Sequence, residues 1–231
     1  MAENPTQRLG HARRRIRNIG LTLLLAFELL VFFVLVPITG LALFSPPSTM
    51  IVAATLVVIA AVITIAQNRV VLVVTLVTAA CALSADFYRV EWPSRYSDSA
   101  FLLIALVFFV VLTGSVSFLV FRQGRITPHR VTGAIVIYLH VAVIFTYLYA
   151  IVLIFAPGAL GIDILTSDPS VGAKILYFSF TTLTTVGYGD ITPVHPFARS
   201  LSNLEAILGQ LYPATLLARL VTLELASRDE E

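Results

Sequence analysis

The chain has 231 residues, of which 58% are hydrophobic and 12% charged, with a net charge of +2 and a mean hydropathy of +0.93. A soluble domain carries about 25% charged residues, so the composition excludes an ordinary soluble protein and points to an integral membrane protein. The small net charge gives no footing for nucleic-acid binding, and the single cysteine, Cys81, excludes an internal disulfide.

The first 18 residues are polar and basic (RLGHARRRIRNIG) and read as a cytoplasmic N-terminus. The apolar run that follows, 19–44, exceeds the core of a cleaved signal, about 7–15 residues, and reads as a retained first span. Further apolar runs cover 50–66, 69–86, 99–121, 131–157 and 196–221, each near the length of about 20 residues that crosses a bilayer. The proline-rich turn SPPST separates the first two runs. QNR, at 67–69, makes a tight hairpin between the second and third. Cys81 lies inside the third run and reads as a small buried thiol. Trp92 reads as an interfacial anchor.

Lys and Arg set the orientation. With the N-terminus inside, Arg8, Arg13, Arg14, Arg15, Arg17, Arg69, Arg122, Arg125, Arg130, Arg219 and Arg228 are cytoplasmic, which is 11 of the 15 basic residues. Arg89, Arg95, Lys174 and Arg199 fall outside. Five or seven spans would put the basic 122–130 loop or the C-terminal arginines on the wrong side, so charge and hydropathy agree on six. The outer loops hold Asp86, Glu91, Asp98, Asp163, Asp168 and Asp190; carboxylates gathered at one mouth raise local cation concentration. The fourth run contains no Arg or Lys. A voltage sensor needs several charges crossing the field, so weak voltage dependence is expected.

Between the last two spans, 158–195 is rich in glycine, proline and carboxylates. Asp168 as cap, with Pro169 at the first helical position, predicts a helix start. The apolar stretch Ile175 to Thr184 is too short to span, so it reads as a re-entrant helix entering from outside. Gly187, Gly189 and Pro193 break the helix after it. Non-helical backbone at membrane depth is tolerated where protein buries it or where it lines water, so 185–190 are expected to line an aqueous path.

TTVGYGD, residues 184–190, resembles the selectivity filter of potassium channels. The order of outer helix, short pore helix, filter and inner helix over 131–221 is similar to that family as well. The first four helices match only in number with its six-segment members. The resemblance implies that the carbonyls of Thr185, Val186, Gly187 and Tyr188, with Gly189 completing the filter, replace the water around K+, and that the Thr185 hydroxyl adds an inner ring of ligands. Aiming successive carbonyls at one axis needs backbone angles that alternate in hand, which Gly187 and Gly189 adopt without a side-chain penalty. The side chains of Val186 and Tyr188 are expected to pack behind the filter. One chain supplies one of the four strands that a filter needs, which implies a homotetramer.

Many relatives carry a glutamate four residues before the first filter threonine, paired to the aspartate after the filter. Thr181 stands there in this chain, so Asp190 needs another partner, and Tyr177 is the candidate donor. Thr184 precedes the filter and supports it. In the last span Pro213 has no N–H for the Gly209 carbonyl, which predicts a kink and a gating hinge at Gly209 and Pro213. Glu28, His140 and Glu205 are ionisable groups within spans, where such groups are functional suspects. Glu205 is placed to brace the pore helix through its threonine hydroxyls or to face the cavity. Glu28 and His140 read as helix–helix contacts, and His195 as a loop histidine or a pH-sensitive group at the outer mouth.

The expectation is an all-α membrane protein with six transmembrane helices, a re-entrant pore helix and a filter loop. Its parts are a basic N-terminus (1–18), a four-helix domain lacking sensor arginines (19–121), a basic linker (122–130), a pore domain (131–222) and a short cytoplasmic tail (223–231) with no room for a nucleotide- or calcium-binding domain. The expected function is passive, potassium-selective conduction without enzymatic chemistry or cofactor, K+ being the permeant ion. Expected partners are three identical subunits and membrane lipids. The expected location is a bacterial inner membrane with both termini cytoplasmic. The alternatives are a non-conducting regulatory or sensor subunit and a potassium-transporter subunit, although the internal repeat of such transporters is not evident.

Overall fold

The computed structural model describes residues 20–40, 69–121, 128–161 and 170–228, all helices and their connections. The expected second span, 50–66, lies outside the described residues, as do the 122–127 loop, Asp163, Asp168 and Pro169.

The first helix, α1, runs over 20–40 and contains a π-helical turn at Val31–Leu35. There the Val36 N–H bonds back to the Val31 carbonyl. Pro37 explains the wider turn, since it has no N–H to continue the regular ladder. The α1 positions Leu21, Leu24, Glu28, Val31 and Phe32 are buried, a helical spacing that marks one inward face. The remaining elements are α2 (Arg69–Glu91), α3 (Arg95–Phe121), α4 (Pro128–Phe155), the short α5 (Val171–Leu183) and α6 (Pro196–Arg228).

Gly20–Ile38, Arg69–Glu91, Arg95–Phe118 and Arg130–Phe155 are long and apolar enough to cross a membrane. With 33 residues α6 is longer than any of these, but Arg199, Asn203, Glu205 and Gln210 interrupt its first half and lower its hydropathy. Among the described residues, four helices are therefore long and apolar enough to span. Helix ends also move: α2 continues five residues past the expected end at 86, and α4 begins at Pro128 inside the expected linker. The α5 helix starts at Val171, with Ser170 as its N-cap, and ends at Leu183.

Charged groups sit at helix ends. Arg95 at the start of α3 donates to the Ile154 carbonyl at the end of α4 (2.5 Å), where a cation suits the negative helix terminus. Arg89 at the end of α2 pairs with Asp86 and lies over the Phe101 ring. Ser97 and Ser94 hydroxyls tie the turn between α2 and α3, where Trp92 is exposed and stacks on Tyr88. Cys81 is exposed on α2, which corrects the buried thiol expected from its apolar run. Apolar sequence in a membrane helix does not separate protein-facing from lipid-facing positions.

Two apolar cores organise the packing. One joins the inward faces of α1, α3 and α4 with Leu176 of α5. The other joins Phe145, Tyr149 and Leu153 of α4 to Ile175 and Phe178 of α5 and Ala198 of α6. The short α5 thus has α4 and α6 packed against it, and Phe180 meets the rings of Phe32 and Phe33 from α1 at 6.0 and 5.5 Å.

Candidate functional site

The site begins where α5 ends. The Thr184 hydroxyl bonds back to the Phe180 carbonyl and the Thr185 N–H to the Thr182 carbonyl. The Thr181 carbonyl then accepts two successive N–H groups, from Val186 at 2.9 Å and Gly187 at 3.2 Å. These bonds turn the chain out of the helix and tie the next segment to the end of α5.

Beyond the turn the backbone alternates in hand. Thr185, Gly187 and Gly189 have φ values of +58°, +53° and +84°, and the residues between them do not share the positive sign. Glycine reaches this region freely. Thr185 is β-branched and does not, so its conformation is held by its surroundings. Sequence reasoning located the two glycines and missed the threonine; the two-residue period carried through Thr185 was the available signal.

The Tyr188 ring stacks on Tyr177 of α5, with centroids 6.3 Å apart and planes 2° from parallel. The Tyr177 hydroxyl lies within electrostatic reach of the Asp190 carboxylate. Thr181, at the position where relatives carry glutamate, turns its hydroxyl back onto the Phe178 carbonyl at 3.0 Å. The structure therefore brings Tyr177, Tyr188 and Asp190 together on one face of α5, while the Thr181 side chain serves its own helix.

The chain then returns along the connection after α4. The Leu160 carbonyl accepts the Thr192 N–H, and the Ala159 carbonyl accepts those of Val194 and His195. Gly161 (φ +67°) lets the strands approach, since a Cβ there would lie 3.0 Å from the Thr192 carbonyl oxygen. His195 accepts the Phe197 N–H and stacks on its ring at the start of α6.

Behind the segment, Glu205 of α6 is fully buried. Its Oε2 accepts from the Tyr149 hydroxyl of α4 at 2.8 Å, and its Oε1 bonds the Ser179 hydroxyl of α5. Ser179 also lies 2.7 Å from the Ala142 carbonyl. One carboxyl group thus links α4, α5 and α6. The partner on α5 is a serine, which corrects the expected threonine hydroxyls. Complete burial places Glu205 away from any open cavity.

Gly209 is a point of close approach between α6 and α5. A Cβ there would lie 1.8 Å from the Leu183 carbonyl oxygen, so α6 presses its backbone on the end of α5. The Tyr138 hydroxyl of α4 bonds the same carbonyl at 3.3 Å, and Tyr138 stacks on Tyr212 of α6 at 5.9 Å. The helix continues through Pro213. One residue past Gly209, the Gln210 amide donates to the Thr185 hydroxyl at 2.8 Å, a contact that sequence reading did not find.

Elsewhere, His140 of α4 and Glu28 of α1 are fully buried and meet at 2.5 Å. The other His140 nitrogen lies 3.1 Å from the Thr113 hydroxyl of α3. The same hydroxyl lies 2.6 Å from the Phe109 carbonyl. Among the described residues no cluster of His, Cys, Asp and Glu has the makings of a metal site.

Residues 141–224 match a family model described as an ion channel. No curated protein and no solved structure matches the chain. The matched span runs from mid-α4 through α5 and the alternating segment into α6, the same elements that build the site. Over this span the chain is similar to ion channels, in keeping with the resemblance of TTVGYGD to a potassium-channel filter.

Proposed function

We propose that the protein is a passive, potassium-selective channel whose filter is Thr185, Val186, Gly187, Tyr188 and Gly189. The observation that carries this reading is the alternation of positive φ at Thr185, Gly187 and Gly189 directly after a short re-entrant helix. Such a backbone turns successive carbonyls to the same side. A row of neutral oxygens replaces an ion's hydration without the full charge that would hold it too tightly. The C-terminal end of α5 carries partial negative charge and favours a cation on the inner side.

The filter closes in a homotetramer. In support, α6 exposes Leu204, Ile207, Leu208 and Leu211 beside the filter on the single chain, an apolar strip that a neighbouring subunit would cover. Asp190, within reach of Tyr177, stands at the outer end, and Glu205 braces α5 behind the filter. The protein lies in a bacterial inner membrane with both termini cytoplasmic and has no catalytic chemistry. α3 carries Arg95 only at its outer end, so conduction depends weakly on voltage.

The test is reconstitution of the pure protein with opposed K+ and Na+ gradients. The reversal potential should follow K+, with a shallow conductance–voltage curve. No current indicates a regulatory subunit, and current that requires a coupled ion indicates a transporter subunit; either outcome rejects the channel.

A further inference from the structure

Gln210 lies midway along α6, its carboxamide exposed on the single chain beside the exposed Leu208 and Leu211. Its partner is the Thr185 hydroxyl, 2.8 Å from Nε2. The reach depends on Gly209: with no Cβ, the helix backbone comes against the Leu183 carbonyl, two residues before Thr185. Gln210 and Thr185 are both exposed on the single chain, as a surface lining a water path would be.

A hydroxyl oxygen has one proton and two lone pairs. One lone pair takes the Gln210 N–H, which leaves the other for an ion. Thr185 also holds a positive φ that its β-branched side chain disfavours, so an external tether fixes both its backbone and its hydroxyl. The geometry points to Gln210 as a positioning residue for the innermost ion level: one carboxamide per subunit holds one Thr185 hydroxyl toward the axis. Gln210 thereby sets how tightly that level binds a cation arriving from inside. The inference rests on the channel reading above and adds to it a residue on a different helix.

Block by internal Ba2+, a doubly charged ion close to K+ in size, reads the innermost ligands of the reconstituted channel. Gln210→Leu removes the donor and should weaken internal block by about fivefold or more, the scale of one lost hydrogen bond. Gln210→Asn keeps the amide but shortens its reach; it should weaken block similarly, and it covers the case in which leucine prevents assembly. On a Thr185→Ala background Gln210→Leu should add nothing, whereas on Thr185→Ser, which keeps the hydroxyl, it should weaken block again. Unchanged block in Gln210→Leu or Gln210→Asn, or an equal effect on the Ala and wild-type backgrounds, overturns the inference alone. A wild-type protein without K+ current overturns the channel reading and the inference together.

Discussion

The pore-side half, built from α4, α5 and α6, and the peripheral half, built from α1, α2 and α3, treat buried polar groups differently. In the pore-side half Glu205 has both oxygens engaged by hydroxyls from two other helices. Among the described residues, the buried side-chain atoms without a partner are Glu28 Oε2 and Thr75 Oγ1, on α1 and α2. Packing runs the same way: 44% of the α4 span is buried inside the chain, against 11% of α2. Among the described residues, polar satisfaction and close packing are greater around α5 and the segment after it than on α2.

The sharpest way to break the comparison is Gly209→Ala. Overpacking costs about 1–3 kcal/mol, occasionally more, and here the added carbon would meet backbone, which cannot rotate away. Gly209→Ala is expected to cost more than about 3 kcal/mol, with loss of assembled protein and of current. A Gly209→Ala protein that assembles with normal thermal stability and only altered open probability would favour the hinge reading.

Glu205→Ala is next. It leaves the Tyr149 hydroxyl without this acceptor, at about 1–3 kcal/mol for a buried group left unsatisfied, while the Ser179 hydroxyl keeps the Ala142 carbonyl. Glu205→Gln keeps an acceptor and the volume, so it should cost less than half as much. Thermal melts in detergent measure the stabilities. K+ over Na+ selectivity should fall in Glu205→Ala, because α5 loses its carboxylate tie to α6 while the Ser179 bond to the Ala142 carbonyl of α4 remains.

The contact between α1 and α4, and Thr75 of α2, should respond in the opposite sense. Glu28→Ala alone strands His140, and breaking a buried pair costs about 3 kcal/mol in the charged limit. A loss of that size should appear in thermal melts of the single variant. Replacing both groups with leucine should be neutral or stabilising, with K+ selectivity unchanged because neither residue touches the filter. Thr75→Val removes a hydroxyl that has no partner and should raise stability by about 1 kcal/mol.

How much of this the sequence discloses differs by region. The order of short helix, glycine-bearing segment and long helix is legible because TTVGYGD has no reading as regular structure in an apolar context. The Tyr177–Asp190 pair is legible too, since replacing the expected glutamate with Thr181 leaves an aspartate needing a donor. Contacts across helices are another matter. Ser179 rather than a threonine meets Glu205, and Gln210 meets Thr185, because helix rotation and axial offset decide such pairs and no one-dimensional pattern encodes them. Gly209 shows the same limit: paired with Pro213 it reads as a hinge, and only the approach of Leu183 from another helix shows that it is needed for space. The polar first half of α6 also hides a long helix from a hydropathy scan, because a helix lining water need not be apolar all round.

The smallest expected effect is that of Tyr177→Phe, and it is informative because the stack on Tyr188 survives. The ring planes are nearly parallel, so phenylalanine keeps the packing and removes only the hydroxyl within reach of Asp190. Tyr177 is partly exposed on the single chain, and water can replace the lost interaction, so stability should hardly change. The consequence should be kinetic: the outer end of the filter loses one restraint, and current during sustained opening should decay at a rate changed by about twofold to fivefold, the scale of a hydrogen bond exchanged for one to water. Asp190→Asn, which weakens the same interaction from the other side, should act in the same direction and add little to Tyr177→Phe. Unchanged decay in both single variants would mean that Asp190 is held by something other than Tyr177, and that the pore-side half is less completely paired at its outer end than behind the filter.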